Sequence, residues 1–227
     1  MKVLVFGATG MVGQGVLREC LLDPEVELAV TVGRTATGTL HARLREIVHK
    51  DLANYAGIEA ELAGFDACFF CLGVSSNGMK EAEYERVTYV YTLAAAETLA
   101  RLGEMDKQRK AMTFIYVSGS GTDSTEKGRT MWARVKGRTE NALLRLPLDA
   151  YMFRPGFIEA MDGIESRTPS YRIFYKVFGW MLPMLRRALP NQVLSTREIG
   201  RAMLVVAKRG YGKRILETKD IRAVVGR

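Results

Sequence analysis

The sequence predicts an α/β protein: a Rossmann-like, doubly wound parallel sheet with a small C-terminal helical lid. Three observations carry this. Short apolar runs alternate with helix-patterned segments through residue 154, the rhythm of a parallel sheet with crossover helices. The runs are continuously apolar rather than alternating, as strands covered on both faces are. The first run leads into a glycine-rich turn that opens a helix. With 227 residues, 48% hydrophobic and 26% charged, the chain suits one large α/β domain and is neither disordered nor fibrous. A single domain is expected over 1–227, with its core at 1–156 and the lid at 157–227.

The elements follow in order. Lys2–Phe6 is a short apolar run ended by glycine, a buried strand. Met11–Leu22 places Val12, Val16, Leu17 and Leu21 on one side of a helix, which Pro24 closes. Residues 26–32 are rich in β-branched side chains and form a second strand; 46–49 form a short third. Residues 65–71 form a fourth, nearly all apolar. A long helix over 81–102 ends with Gly103 as its cap. Strands at 111–117 and 148–154 enclose a helix at 129–146, ended by Pro147. Pro155-Gly156 stops the sixth strand. Beyond it, 170–188 is aromatic and basic. A helix starts at Ser195 or Thr196 with Glu198 in its first turn, and 214–217 is a last short strand.

The turn Gly7-Ala8-Thr9-Gly10-Met11-Val12-Gly13 points to a dinucleotide. Gly7 permits the tight turn, Gly10 admits a pyrophosphate close to the backbone, and Gly13 lets helix pack on strand. The amides at the helix start then face the phosphates. Glycines between a strand and a helix supply the context that an isolated glycine pattern lacks.

The spacing is GxxGxxG, and here the chain resembles the short-chain dehydrogenase/reductase superfamily. The resemblance continues through Phe65-Asp66-Ala67-Cys68-Phe69-Phe70-Cys71-Leu72-Gly73, Phe114-Ile115-Tyr116-Val117-Ser118, Val135-Lys136-Gly137 with Glu140, and Phe153-Arg154-Pro155-Gly156. Together these resemble the atypical branch of Tat-interacting-protein-like, NmrA-like NAD(P)-binding proteins, which are epimerase/dehydratase-like. The resemblance spans the chain in order and is strongest over 1–156.

An NAD site places an acid at the end of the second strand. This chain has Thr31-Val32-Gly33-Arg34 there and no acid until Glu46. Arg34 can pair with a 2′-phosphate, so NADP(H) is expected over NAD(H). By resemblance, Asp51-Leu52 lies at the adenine, Cys71-Leu72-Gly73 behind the ribose and Pro155-Gly156-Phe157 at the nicotinamide. The resemblance also implies catalysis by Ser, Tyr and Lys. Ser118 and Lys136 stand at two of those positions, but Trp132 stands where the tyrosine belongs, four residues before the lysine. Indole carries one N–H donor and no acceptor, so it cannot replace phenol as general acid. Three readings stay open. In an oxidoreductase acting on a small carbonyl-type substrate, the proton is relayed by Ser118, Lys136, water, Tyr89 or Tyr91. The others are a non-catalytic NADPH-sensing regulator and an epimerase or isomerase.

Other signals exclude more than they suggest. Net charge is +8, and 168–227 holds 13 Lys+Arg against Glu198, Glu217 and Asp220. That basic third could attract phosphates, anionic lipid or nucleic acid, or be a solvated surface, and no nucleic-acid docking motif accompanies it. The pair Cys68 and Cys71 lies in an apolar strand, the setting of packing rather than redox chemistry. His41 and His49 have no Cys partner nearby, so no metal site is expected. Both precede Ser118, against the order a hydrolase elbow needs. Residues 171–187 read as a lid or a homodimer face, with peripheral membrane contact as the other reading. With three cysteines, no apolar 18-residue stretch and no leader-like start, a cytoplasmic location is expected.

Overall fold

The computed structural model describes residues 1–106, 108, 110–164 and 192–226. In chain order the elements are β1 (Lys2–Phe6), α1 (Met11–Leu22), β2 (Leu28–Gly33), β3 (Leu44–Val48), a 3₁₀ turn (Ala56–Ile58), α2 (Glu59–Leu62) and β4 (Ala67–Phe70). Then come α3 (Glu81–Glu85), a π turn (Arg86–Val90), α4 (Tyr91–Met105), β5 (Thr113–Val117), α5 (Met131–Leu143), β6 (Asp149–Arg154) and β7 (Phe157–Glu159). After the undescribed stretch follow β8 (Val193–Ser195), α6 (Thr196–Arg209), β9 (Ile215–Glu217) and α7 (Thr218–Val225).

Seven strands pair in the order β3-β2-β1-β4-β5-β6-β9, all in parallel. The Rossmann-like doubly wound sheet is therefore present. Successive residues of β1 feed opposite cores: Val3 and Val5 pack toward α1 and α6, Leu4 and Phe6 toward α4 and α5. Both faces being covered, the strand reads as one apolar run rather than an alternating one. The order reverses between β1 and β4, and the open ends of those strands make the crevice where such sheets bind ligands.

Several boundaries differ from the sequence reading. The second and third strands run over Leu28–Gly33 and Leu44–Val48, and the fourth is shorter, Ala67–Phe70. Gly103 is not a cap: α4 continues to Met105 and stops at Asp106. The long helix is interrupted by the π turn, a one-turn insertion at Arg86–Val90 that shifts the helical phase without any Gly or Pro to mark it. Helices α2 and α7 and the parallel pair β7–β8 add to the expected elements. Ser195 is the N-cap of α6: its hydroxyl accepts from the Glu198 amide while the Glu198 carboxylate accepts from the Ser195 amide at 2.7 Å.

The described part of the C-terminal third completes the core rather than roofing it. β9 extends the sheet beside β6. α6 packs on α1, with Glu19 buried at the crossing and accepting from Arg18 and, at 2.9 Å, from Arg201 Nε. Burying the apolar face of α6 against the sheet is worth more than leaving it as a flap. The basic aromatic segment 171–187 lies outside the described residues.

Candidate functional site

The carboxyl ends of β2, β1, β4, β5 and β6 converge on a cleft of about 1470 Å³, larger than the ~300–1000 Å³ of a typical small-molecule pocket. Its floor begins at the turn after β1. Gly7 sits at φ 74°, where L side chains are strained, and Gly10 N–H donates to the Gly7 carbonyl at 2.9 Å. A Cβ on Gly13 would stand 2.1 Å from the Gly7 oxygen, so only glycine lets α1 close on the turn. Gly13 itself is outside the lining; Gly7, Thr9, Gly10, Met11 and Val12 are in it. Gln14 Nε2 donates to the Thr9 carbonyl at 3.2 Å and holds the loop. α1 starts with no side-chain cap and no acid in its first turn, leaving the positive end of its dipole facing the cleft.

At the β2 end, Arg34 lines the cleft and is exposed, followed by Thr35 and Thr37. Glu46, the first acid after β2, lies opposite Thr31 on β3. It is tied back to the loop, accepting from the Thr37 amide at 2.9 Å and from the Thr37 hydroxyl. Leu52 is buried in the lining, whereas Asp51 is outside it and accepts from the Ala53 amide at 3.1 Å. Among the described lining residues the charged side chains are Arg34 and Lys136, both cations. A helix start without a cap and two cations fit a polyanion such as a dinucleotide.

Across the middle run Cys71, Leu72 and Gly73. Burial pushes the Cys71 thiol up to about 12, and Cys68 is wholly buried in the sheet, so neither is a ready thiolate. Pro155, Gly156 and Phe157 line the far end. They are fixed by Gly156 N–H donating to Thr218 Oγ1 and by Phe157 N–H donating to the Gln192 carbonyl, both at 2.8 Å.

Ser118 and Lys136 are brought together, but the serine hydroxyl faces the core. It donates to Glu140 Oε1 at 2.5 Å, with the Phe153 carbonyl at 3.2 Å as its other acceptor. Glu140 has no exposed surface and also accepts from Arg154 Nε at 3.0 Å and from Arg154 Nη2. Arg154 reaches on to Ser124 Oγ and to Glu217. Ser118 is thus one end of a buried network joining β5, α5, β6 and the loop after β5. Lys136 Nζ donates to the Ser118 carbonyl, and burial pulls its pKa down to about 8 against the raising influence of Glu140.

Trp132 lines the cleft one helical turn before Lys136. It is an N–H donor where a phenol would both donate and accept. Of the tyrosines considered as substitutes, Tyr91 lines the cleft, whereas Tyr89 is outside the lining and carries Arg138 4.5 Å above its ring. Tyr84, which the sequence reading missed, lines the cleft and is buried. Its signal was the i, i+3, i+7 spacing of Tyr84, Val87 and Tyr91 on one helical face. Thr31, Ser75, Ser76, Ser120, Ile158 and Gln192 also line the cleft and carried no motif. Among the described residues no group of three or more His, Cys, Asp or Glu could hold a metal ion.

No protein-family model matches the chain. The chain is 29% identical over 172 residues to "Protein fmp52, mitochondrial" of Emericella nidulans, covering 73% of this chain and 70% of that one. To "Protein FMP52-1, mitochondrial" of Scheffersomyces stipitis it is 24% identical over 161 residues, covering 70% and 67%. Both relatives are named mitochondrial, which overturns the cytoplasmic location expected from the sequence. Among solved structures, UDP-glucose 4-epimerase of Thermotoga maritima with UDP-glucose superposes at a TM-score of 0.66 and 15% identity, over 100% of this chain and 83% of that one. UDP-glucuronic acid 4-epimerase of Bacillus cereus with NAD gives 0.66 at 14%, over 95% and 76%. A short-chain dehydrogenase family protein of Francisella tularensis gives 0.64 at 14%, over 92% and 91%. The chain therefore has the Rossmann-like fold of nucleotide-sugar epimerases and short-chain dehydrogenases.

Proposed function

We propose that the protein binds NADP(H) in this cleft and is an oxidoreductase of the short-chain dehydrogenase/reductase type. The observation that carries the cofactor is electrostatic: an uncapped helix start flanked by Arg34 and Lys136, with Glu46 already engaged by Thr37. The amides of Met11 and Val12 would hold the pyrophosphate, Arg34 the 2′-phosphate, Leu52 the adenine side, and Cys71, Leu72 and Gly73 the ribose side. Ser118, Lys136, Pro155, Gly156 and Phe157 would border the nicotinamide. When bound, the dinucleotide supplies or accepts hydride. The chain's own part is to orient the carbonyl by donation from Lys136 Nζ or the Trp132 N–H, and to move a proton at Lys136 Nζ, poised near neutrality. The NAD-containing epimerase neighbour supports a nicotinamide dinucleotide without choosing between its two forms. For location, the reading follows the two fungal relatives.

Calorimetric titration with NADPH and NADH tests the cofactor. NADPH is expected to bind more tightly, and Arg34→Ala to remove that preference with a loss of about 10-fold to 100-fold. Tighter binding of NADH by the unaltered protein would sink the proposal. A second reading rests on Trp132 and on the inward-facing Ser118 hydroxyl: a protein that responds to NADPH without turning it over. Silence across a broad carbonyl panel alongside tight NADPH binding would favour it. Turnover that depends on Lys136 would exclude it.

A further inference from the structure

The half of the cleft beside β5 and β6 is walled differently from the phosphate end. Trp132, Tyr84, Phe157, Val74 and Ile158 line it. Phe157 and Val74 keep 51% and 39% of their surface open to water. Exposed apolar surface inside a concave wall is what a ligand with a matching apolar face would cover. The strand order puts Arg34, at the end of β2, on the far side of β1 and β4. Lys136 is therefore the charged side chain that the described lining supplies on this half.

We propose that this half of the cleft takes a planar aromatic ring bearing a carbonyl oxygen, an aryl ketone or quinone, seated against the Trp132 indole. This deepens the proposed function and rests on its assignment of the other half to a dinucleotide. The indole offers a flat π face, against which a ring gains more than its buried area alone supplies. The carbonyl oxygen needs donors only, and Lys136 Nζ and the indole N–H are donors. A sugar gains less here, because its hydroxyls lose hydration against Trp132, Phe157 and Val74. The Ser118 hydroxyl adds no donor for that oxygen, since its proton is directed to Glu140 or the Phe153 carbonyl.

The full chain, saturated with NADP⁺, is titrated by calorimetry with 1-tetralone, its saturated counterpart 1-decalone, and UDP-glucose. Tetralone is expected to bind saturably and about tenfold more tightly than decalone, with UDP-glucose weaker than either. Trp132→Ala is expected to weaken tetralone about tenfold, and Trp132→Phe to restore most of the loss. The proposal is overturned if UDP-glucose binds more tightly than tetralone, or if decalone matches tetralone. It is equally overturned if Trp132→Ala, shown by circular dichroism to be folded, binds tetralone as the unaltered protein does. The NADP⁺ titration that precedes these is a separate readout: no heat there removes the cofactor assignment, while tetralone binding to the free protein still decides this one.

Discussion

Lys136 is the residue whose chemistry was half visible. Its place in the helix after the fifth strand was legible from the resemblance, but its burial against the Ser118 carbonyl was not, because helix lysines are ordinarily solvated. Burial sets its behaviour with pH. Its folded-state pKa, about 8, lies below the ordinary lysine value of 10.5. Between those values the unfolded chain holds the proton and the folded chain does not, so this group's contribution to stability rises with pH across that window. Its role as proton donor runs the other way, available below about 8 and lost above it as the ammonium is discharged. Reduction of a carbonyl substrate that takes its proton from Lys136 Nζ is expected to slow roughly tenfold between pH 7 and pH 9, and in Lys136→Met to start low and stay flat. A pH series of the turnover rate checks this; an unchanged slope in the variant would remove Lys136 from the proton path. The serine shows the opposite limit. Ser118 was located in the sequence, yet the direction of its hydroxyl depends on Glu140 and Phe153, 22 and 35 residues away, and no local pattern encodes that.

The elements are joined around the cleft by the buried pair of Glu140 on α5 and Arg154 on β6. Glu140 has no surface exposed, and Arg154 is 9% exposed. Breaking a buried pair by removing one partner costs about 3–5 kcal/mol, because the other charge stays desolvated. Arg154→Met strands the Glu140 carboxylate and frees Ser124, so the loop after β5 loses its anchor to β6. For a chain of this size the loss corresponds to a fall in Tm of roughly 6–20 °C, measurable by scanning calorimetry; a fall under about 2 °C would mean the network is not a buttress. Strands and helices were legible here because apolar runs and helical spacing are local signals. The interrupted helix through Arg86–Val90 was not, since the one-residue shift of phase falls within a single turn and no Gly or Pro marks it. The β7–β8 pair was not either: its strands are three residues each and pair across more than 30 positions, too short for periodicity and too distant for a turn signal.

At the scale of the whole molecule, part of the positive charge in the last third is answered, among the described residues, by acids earlier in the chain. Arg201 meets Glu19, Lys208 meets Asp23 and Glu25, Arg214 meets Asp149, and Arg197 meets Asp162. These pairs tie the described C-terminal elements to Glu19, Asp23, Glu25, Asp149 and Asp162, and apart from the buried Glu19 carboxylate each lies near the surface and adds little stability. The composition recorded the imbalance but not the pairing, which exists only once α6 lies on α1. What the sequence did show at this scale was the parallel sheet and the glycine turn after β1; the switch point follows only from the strand order. The cations at Arg34 and Lys136 are different, since they line a concave wall and have a ligand to meet. A ligand held there binds the folded chain alone, so at a hundred times its dissociation constant NADPH is expected to stabilise by about 2.7 kcal/mol. That raises Tm by roughly 5–10 °C. The shift should shrink as ionic strength rises, since Arg34 is exposed and its contact with phosphate is screened within about a Debye length, ~8 Å at physiological salt. A melt series in NADPH at low and high salt measures both. A shift that survives high salt undiminished would mean that burial rather than charge holds the ligand, and the electrostatic account of the cleft would have to be given up.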